Sequence, residues 1–454
     1  MKCSAVIETP LAINNHDKAA PLCWDAVMVD HTAAQSQVSP ASMGIAAIST
    51  VVEWYDFTLY LYFVTVLARV FYGGGAGSVG VALAGFAVAY VMRPLGAVVL
   101  GVFGDRYGRR RAMMVSMAVM TLAMAATACL PTRAVAGPLA GWLLLALRCV
   151  MAFAVGGEYT GVVAYLVEGA PAPRRGLVAS LASAASEVGA LLAAAVSAVV
   201  VLSLPAAALD TWGWRVPFAI GAALAGAIWI ARTHMAESPE FLANEAQGAI
   251  DANPLAHAVG AERAGVLRGF SISSMGSICY YVGINYVPAF LVGSGTMREG
   301  AALWLSTLAA AMVIAVTPIA GALSDRFGRR PMLIGIALAG AALPALLFPL
   351  MVRGGVPAAL GGALVLAAIG GSWSAVAAAA TAEQFSSRAR LSGLALGVTS
   401  ATAVFGGLSP WVAHALIAAT GAAWAPGAMI ALVALAVVPV LAMMPETAPR
   451  KIGG

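Results

Sequence analysis

The sequence predicts an all-α membrane protein of twelve transmembrane helices in two pseudo-symmetric six-helix bundles. Three observations predict it: apolar stretches of spanning length between short charged loops, arginines confined to alternate loops, and a charged motif that occurs twice. Of the 454 residues 61% are hydrophobic and 10% charged, where soluble domains carry about 25% charged residues. A soluble chain this apolar would expose large adhesive patches. In a bilayer the same composition is required, because a helix needs roughly 20 mostly apolar residues to cross the hydrocarbon core.

The apolar runs lie near 44–71, 79–103, 112–131, 138–168, 176–203, 213–235, 264–292, 300–323, 332–352, 356–382, 391–418 and 424–444. They divide the chain into a tail (1–43), a first bundle (44–235), a central loop (236–263), a second bundle (264–445) and a short tail (446–454). Residues 1–43 hold no signal-peptide pattern, since Glu8, Pro10, Asp25 and Asp30 break their apolar runs.

Orientation follows from counting basic residues in the loops. Arg106, Arg109, Arg110 and Arg111 follow the second span, Arg174 and Arg175 the fourth, Arg326, Arg329 and Arg330 the eighth, and Arg388 and Arg390 the tenth; Arg450 and Lys451 close the chain. The opposite loops hold little more than Arg133, Arg298 and Arg353. Both termini are therefore expected in the cytoplasm, in an inner or plasma membrane.

The net charge of +5 sits in these clusters and not along one basic face, so nucleic acid is not an expected partner. The five cysteines form no CxxC pair and no zinc spacing with histidine, so no metal is expected. Gly75 to Gly80 spells GxGxxG, but no strand precedes it, and a turn between membrane helices accounts for it better than a dinucleotide site.

The motif Gly101-Val102-Phe103-Gly104-Asp105-Arg106-Tyr107-Gly108-Arg109-Arg110 returns 220 residues later as Gly321-Ala322-Leu323-Ser324-Asp325-Arg326-Phe327-Gly328-Arg329-Arg330. A second echo pairs Glu168, Arg174 and Arg175 with Glu383, Arg388 and Arg390. Duplicated six-helix halves are a plan of rocking transporters.

Charges at membrane depth are costly, so each is read as functional by default. Glu53, Asp56 and Tyr60 share one face of the first span. Arg148 and Glu158 lie in the fourth span and Glu187 in the fifth. A carboxyl facing a dry cavity can load and release a proton near neutral pH, which makes Asp56, Glu53, Glu158 and Glu187 candidates for proton coupling. Arg148 is a candidate partner for one of these acids or for a substrate carboxylate. The alternative for each is an ion pair that only ties helices together. Tyr60 in the first half and Tyr281, Asn285 and Trp373 in the second are candidate cavity residues, because aromatic walls with a few polar groups suit a small organic solute.

The duplicated motif resembles the signature loop of the major facilitator superfamily. More narrowly, the chain is similar to the metabolite–proton symporter branch, whose members carry proline and betaine, citrate, 2-oxoglutarate and shikimate. That likeness rests on Glu53-Trp54-Tyr55-Asp56-Phe57, Met92-Arg93-Pro94-Leu95-Gly96, Gly156-Gly157-Glu158-Tyr159, Trp212 to Phe218, Glu237-Ser238-Pro239-Glu240-Phe241 and Phe405 to Pro410. Two departures stand out: Ser49-Thr50 and Met151-Ala152 replace Gly-Asn and Gln-Gly pairs usual in the branch. The osmosensing members carry a C-terminal coiled coil, and that device is not expected here.

The resemblance implies a conformational latch built from Gly101, Asp105, Arg106, Gly108, Arg109, Arg110 and Glu168, repeated in Gly321, Asp325, Arg326, Gly328, Arg329, Arg330, Glu383 and Arg388. Asp105 is expected to accept bonds from arginines and amides at facing helix ends, and Glu168 to pair with an arginine of the Asp105 loop. The expectation is a monomeric secondary transporter that takes up a small carboxylate-bearing metabolite, a zwitterion or a di- or tricarboxylate, with the proton as coupling ion and no cofactor. An exporter or uniporter of the same fold is the alternative; a receptor or a membrane-embedded enzyme is the alternative from another class.

Overall fold

The computed structural model describes residues 38–448 apart from Ala76. The predicted tail through residue 37, and Arg450 and Lys451 in the predicted C-terminal tail, lie outside the described residues. Every regular element among the described residues is a helix.

The first half consists of α1 (Pro40–Tyr62, bent by 67° into Val64–Tyr72), α2 (Ser78–Tyr107), α3 (Arg109–Cys129), α4 (Leu139–Gly169), α5 (Ala172–Ser203) and α6 (Ala206–Arg232). The second half consists of α7 (Arg263–Gly293), α8 (Glu299–Phe327), α9 (Arg329–Ala342, bent by 44° into Pro344–Arg353), α10 (Gly355–Ala382), α11 (Arg390–Thr420) and α12 (Ala425–Ala442). With each bent pair counted as one span, twelve helices among the described residues are long and apolar enough to cross a membrane. The bend in α9 falls at Pro344, which has no N–H to continue the helical ladder.

The helices extend further into the arginine clusters than the apolar runs suggest. α2 continues to Tyr107 and α3 starts at Arg109, so the predicted loop shrinks to Gly108; Gly328 does the same between α8 and α9. Both glycines have φ near +106°, at 107° and 106°, a region that side chains avoid. The central loop also contains two short helices, Pro239–Ala246 and Pro254–Gly260.

Each half buries its own apolar core. Tyr55, Phe63, Phe71, Trp214 and Phe218 anchor the first, and Met275, Phe290, Phe348 and Trp373 the second. A third cluster joins the halves at the arginine-rich end, where Tyr165 and Met113 pack with Phe385, Leu391 and Leu394. There the motif glycines set how closely the halves approach. A Cβ on Gly321 would lie 2.7 Å from the Gly176 carbonyl, and one on Gly101 3.1 Å from the Leu391 carbonyl. α8 therefore packs against α5, and α2 against α11, at backbone distance.

Candidate functional site

A cavity of about 200 Å³ lies between the halves. α1 contributes Glu53 and Trp54, α2 Tyr90 and Arg93, α4 Tyr159 and Thr160, and α5 Ser183 and Glu187. From the other half come Tyr280 and Tyr281 on α7, Trp373 and Ser374 on α10, and Thr399 and Thr402 on α11. α7 reaches the cavity through a π-helical turn over Tyr281–Asn285, and α11 has π-helical turns over Ala395–Thr399 and Ala403–Gly407; such turns frequently mark functional sites.

Glu53 and Arg93 form an ion pair at 2.5 Å in the cavity wall. The Arg93 guanidinium also lies 5.2 Å from the Tyr90 ring and 5.5 Å from that of Phe57. The other Glu53 oxygen, Oε2, is buried with no hydrogen-bond partner, as is the Trp54 indole nitrogen. Glu187 and Tyr280 line the same cavity wall, one from each half. Trp373 is fixed by its indole N–H, which donates to the Ile272 carbonyl at 2.9 Å. Tyr90 and Tyr281 join α2 to α7 through their hydroxyls at 2.9 Å, and Trp54 meets Tyr280 edge-on at 5.4 Å.

The other predicted residues fall outside this cavity. Asp56 and Arg148 pair at 2.9 Å beside a separate space of about 20 Å³ that shares Tyr90, Arg93 and Val155 with the larger one. Tyr60 lines neither space: its ring lies 4.9 Å from the Arg148 guanidinium, and its hydroxyl donates to the Ala82 carbonyl at 3.0 Å. Glu158 is fully buried against Arg232 and Ser116, away from the cavity. Arg232 also reaches the Ser49 hydroxyl at 2.5 Å. This network ties α1, α3, α4 and α6 into one body. Asn285 is exposed and does not line the cavity, because the π-helical turn carries it to the outer surface of α7.

At the arginine-rich end two related networks close the cavity. Asp105 accepts the amides of Leu391 and Ser392 at 3.2 and 2.9 Å, at the N-terminus of α11. Asp325 accepts those of Gly176 and Leu177 at 2.8 and 2.9 Å, near the start of α5. Each aspartate thus caps a helix of the opposite half, where the helix dipole favours negative charge. Arg109 pairs with Asp105 at 3.3 Å and Glu168 at 3.1 Å, and also donates to the Ser387 carbonyl. Arg329 pairs with Asp325 at 2.8 Å and Glu383 at 3.2 Å.

Several members of these networks were not singled out from the sequence. Glu237 accepts the Arg110 amide at 3.0 Å, and Glu446 accepts the Arg329 amide at 2.8 Å, so each carboxylate caps the helix that follows a motif glycine. Burial pushes the Glu237 carboxyl above its usual range, against the pull of the Ser238 and Arg110 amides. Ser238 donates to Glu168, and Thr447 to Glu383 at 2.6 Å. Glu240 holds Arg390 at 2.7 Å and Arg175 at 3.3 Å, bridging the starts of α11 and α5. Arg390, not Arg388, enters the charged cluster: Arg388 is exposed on the loop, and Arg106 and Arg326 are exposed in the last turns of α2 and α8. The Arg110 backbone is capped by Glu237 and the Arg330 backbone by Glu446.

The most consequential omissions are Arg93 and Arg232. Both are arginines within or at the end of an apolar run, so the cost argument applied to Arg148 also marks them.

The sequence and fold have known counterparts. The model of the family described as sugar (and other) transporter matches residues 43–258 and 243–453. The chain is 32% identical over 375 residues to the alpha-ketoglutarate permease of Escherichia coli strain K12, covering 82% of this chain and 86% of that protein. It is 31% identical to the citrate-proton symporter of Klebsiella pneumoniae, covering 83% and 85%. It is 29% identical to the proline/betaine transporter of Salmonella typhimurium, covering 95% and 87%. Among solved structures, a double-tryptophan variant of XylE superposes with a TM-score of 0.75 at 21% identity, covering 90% of this chain and 96% of that chain. The chain is a transporter and not an enzyme: it belongs to the sugar (and other) transporter family of the major facilitator superfamily, in the branch of the metabolite–proton symporters.

Proposed function

We propose that this transporter takes up a small carboxylate-bearing metabolite together with a proton, by alternating access of the central cavity. The arginine-rich end faces the cytoplasm of an inner membrane, with both termini on that side. No cofactor is needed, and the cavity, formed between two halves of one chain, serves a monomer.

The observation that carries this reading is the charge in the cavity wall: Glu53, Glu187 and Arg93 lie midway along membrane helices, where charge is costly, and all three line the cavity. The buried acids Asp56, Glu53 and Glu187 are the groups available to carry the proton, whereas Glu158 holds the first bundle together. A membrane potential supplies about 2.3 kcal/mol per charge per 100 mV, enough to drive uptake against a gradient. Two acids and one arginine beside the rings of Trp54, Tyr280, Tyr281 and Trp373 favour a zwitterion with an alkylated ammonium over a di- or tricarboxylate. The named relatives carry solutes of both kinds.

The test is concentrative uptake into proteoliposomes under an inward proton gradient, with radiolabelled glycine betaine, proline, 2-oxoglutarate and citrate each supplied alone. The reading expects accumulation of a zwitterion that stops when a protonophore is added. Accumulation that ignores the protonophore contradicts proton coupling. Failure of all four solutes to move contradicts the proposed substrate class.

A further inference from the structure

We propose that Arg93 binds the carboxylate of the solute, and that Glu53 controls it: Arg93 is released only when Glu53 takes up a proton. This inference rests on the symport reading above and assigns the coupling within it.

Three observations point to Arg93. It is the only guanidinium among the described residues that line the larger cavity, and its partner Glu53 lines the same wall. Arg148 borders only the smaller space of about 20 Å³, room for about one water and not for a metabolite. Within that space Arg148 is paired with Asp56 and covered by the Tyr60 ring. Arg93 instead lies among the Tyr90 and Phe57 rings, with one ion-pair partner among the described carboxylates.

Glu53 has the geometry of an exchangeable partner. One carboxylate oxygen holds Arg93, while Oε2 is buried and unpaired. A buried carboxylate oxygen without a donor is costly, and Oε2 is where an added proton would sit. The charged and titratable groups that act on Glu53 come from several helices: Arg93 on α2, Glu158 and Tyr159 on α4, Arg232 on α6 and Tyr281 on α7. Glu158 and Arg232 offset each other as a closed pair. The balance that changes during transport is therefore between Glu53 and Arg93.

Charge counted at Glu53 and Arg93 alone, with the ammonium of a zwitterion left to Glu187 in the same cavity wall, gives the coupling. With no solute, Glu53 carboxylate and Arg93 sum to zero. With solute carboxylate on Arg93 and a proton on Glu53, they again sum to zero. Solute without the proton leaves an excess negative charge, and the proton without solute an excess positive charge, in a site where uncompensated charge is expensive. Only the two neutral states can change access cheaply, so one proton moves with each carboxylate. The proton comes from water on the side where the cavity is open and leaves to water on the other. No bond besides the O–H forms or breaks.

The experiment uses the full chain in proteoliposomes, with whichever of glycine betaine, proline, 2-oxoglutarate and citrate the wild type accumulates. Binding is measured on both sides of neutral pH, alongside counterflow and proton-driven accumulation. Glu53→Gln should bind the solute with an affinity that no longer depends on pH, retain counterflow, and lose accumulation. Arg93→Gln should weaken binding by about tenfold or more, the effect expected for one charged hydrogen bond, while Arg93→Lys recovers part of it. Choline, which has the ammonium of glycine betaine but no carboxylate, should inhibit wild type and Arg93→Gln equally. If Glu53→Gln still accumulates solute under a proton gradient, or Arg93→Gln binds it as well as wild type does, the assignment is wrong and the symport reading stands. If the wild type accumulates none of the four, the symport reading fails and the assignment with it.

Discussion

Arg390, at the start of α11 in the second half, reaches across to Glu168 of the first half at 2.7 Å. The related arginine at the start of α5, Arg175, does not do the same in reverse; it pairs with Glu240 at 3.3 Å and is partly exposed. The two closures at the arginine-rich end therefore differ, and one of them contains a buried ion pair that exists only while the halves are together. Breaking such a pair leaves an uncompensated charge and is strongly destabilising to the state that holds it. Glu168→Gln should open this end more than Glu383→Gln does. The measure is the alkylation rate of a cysteine placed at Thr381 in an otherwise cysteine-free chain. Equal rates in the two variants would contradict the asymmetry.

Gly321 and Gly176 touch backbone to backbone, so a side chain at either position holds α8 away from α5. Gly321→Ala should raise the same alkylation rate without lowering the melting temperature much, because the clash exists only in the closed state. An alanine variant that closes as well as wild type would show that the close approach is not needed.

Glu158 and Arg232 tie four helices together and do not touch the cavity. Glu158→Gln should therefore act on stability, at about 3–5 kcal/mol for a broken buried pair, seen as an earlier thermal unfolding midpoint in detergent. The solute affinity of the surviving folded protein should remain near wild type. A large loss of affinity at unchanged stability would place Glu158 in transport and not in the scaffold.

Glu187 places a carboxyl in the cavity wall shared with Tyr280. If the ammonium end of the solute sits there, Glu187→Gln should lower affinity for glycine betaine about tenfold, in the range of an ammonium losing a desolvated charge partner. It should leave affinity for 2-oxoglutarate unchanged or improved. Equal loss for both solutes would contradict the placement.

Much of this arrangement was legible in the sequence. Twelve spans, two halves and the duplicated motif follow from hydropathy and repetition, because a bilayer leaves few ways to satisfy the backbone. The motif loops were drawn too long, since their arginines read as solvent while Arg109 and Arg329 are buried and begin helices. Periodicity placed Glu53 and Asp56 on one face of α1, yet they take different partners on α2 and α4 and border different spaces. Which neighbour an acid meets depends on how helices distant in sequence pack, and a single span does not encode that. The same limit hid Arg93 behind Arg148, and the caps Glu237 and Glu446 behind the loops they close.

The central claim is that one cavity opens alternately to the two sides as the halves tilt. The most direct measurement is a pair of spin-label distances in the protein in lipid, one across the arginine-rich end between α2 and α11 and one across the far end between α1 and α7. Introducing Glu168→Gln should lengthen the first distance and shorten the second. Lengthening at one end with no change at the other, or both distances moving together, would contradict the account.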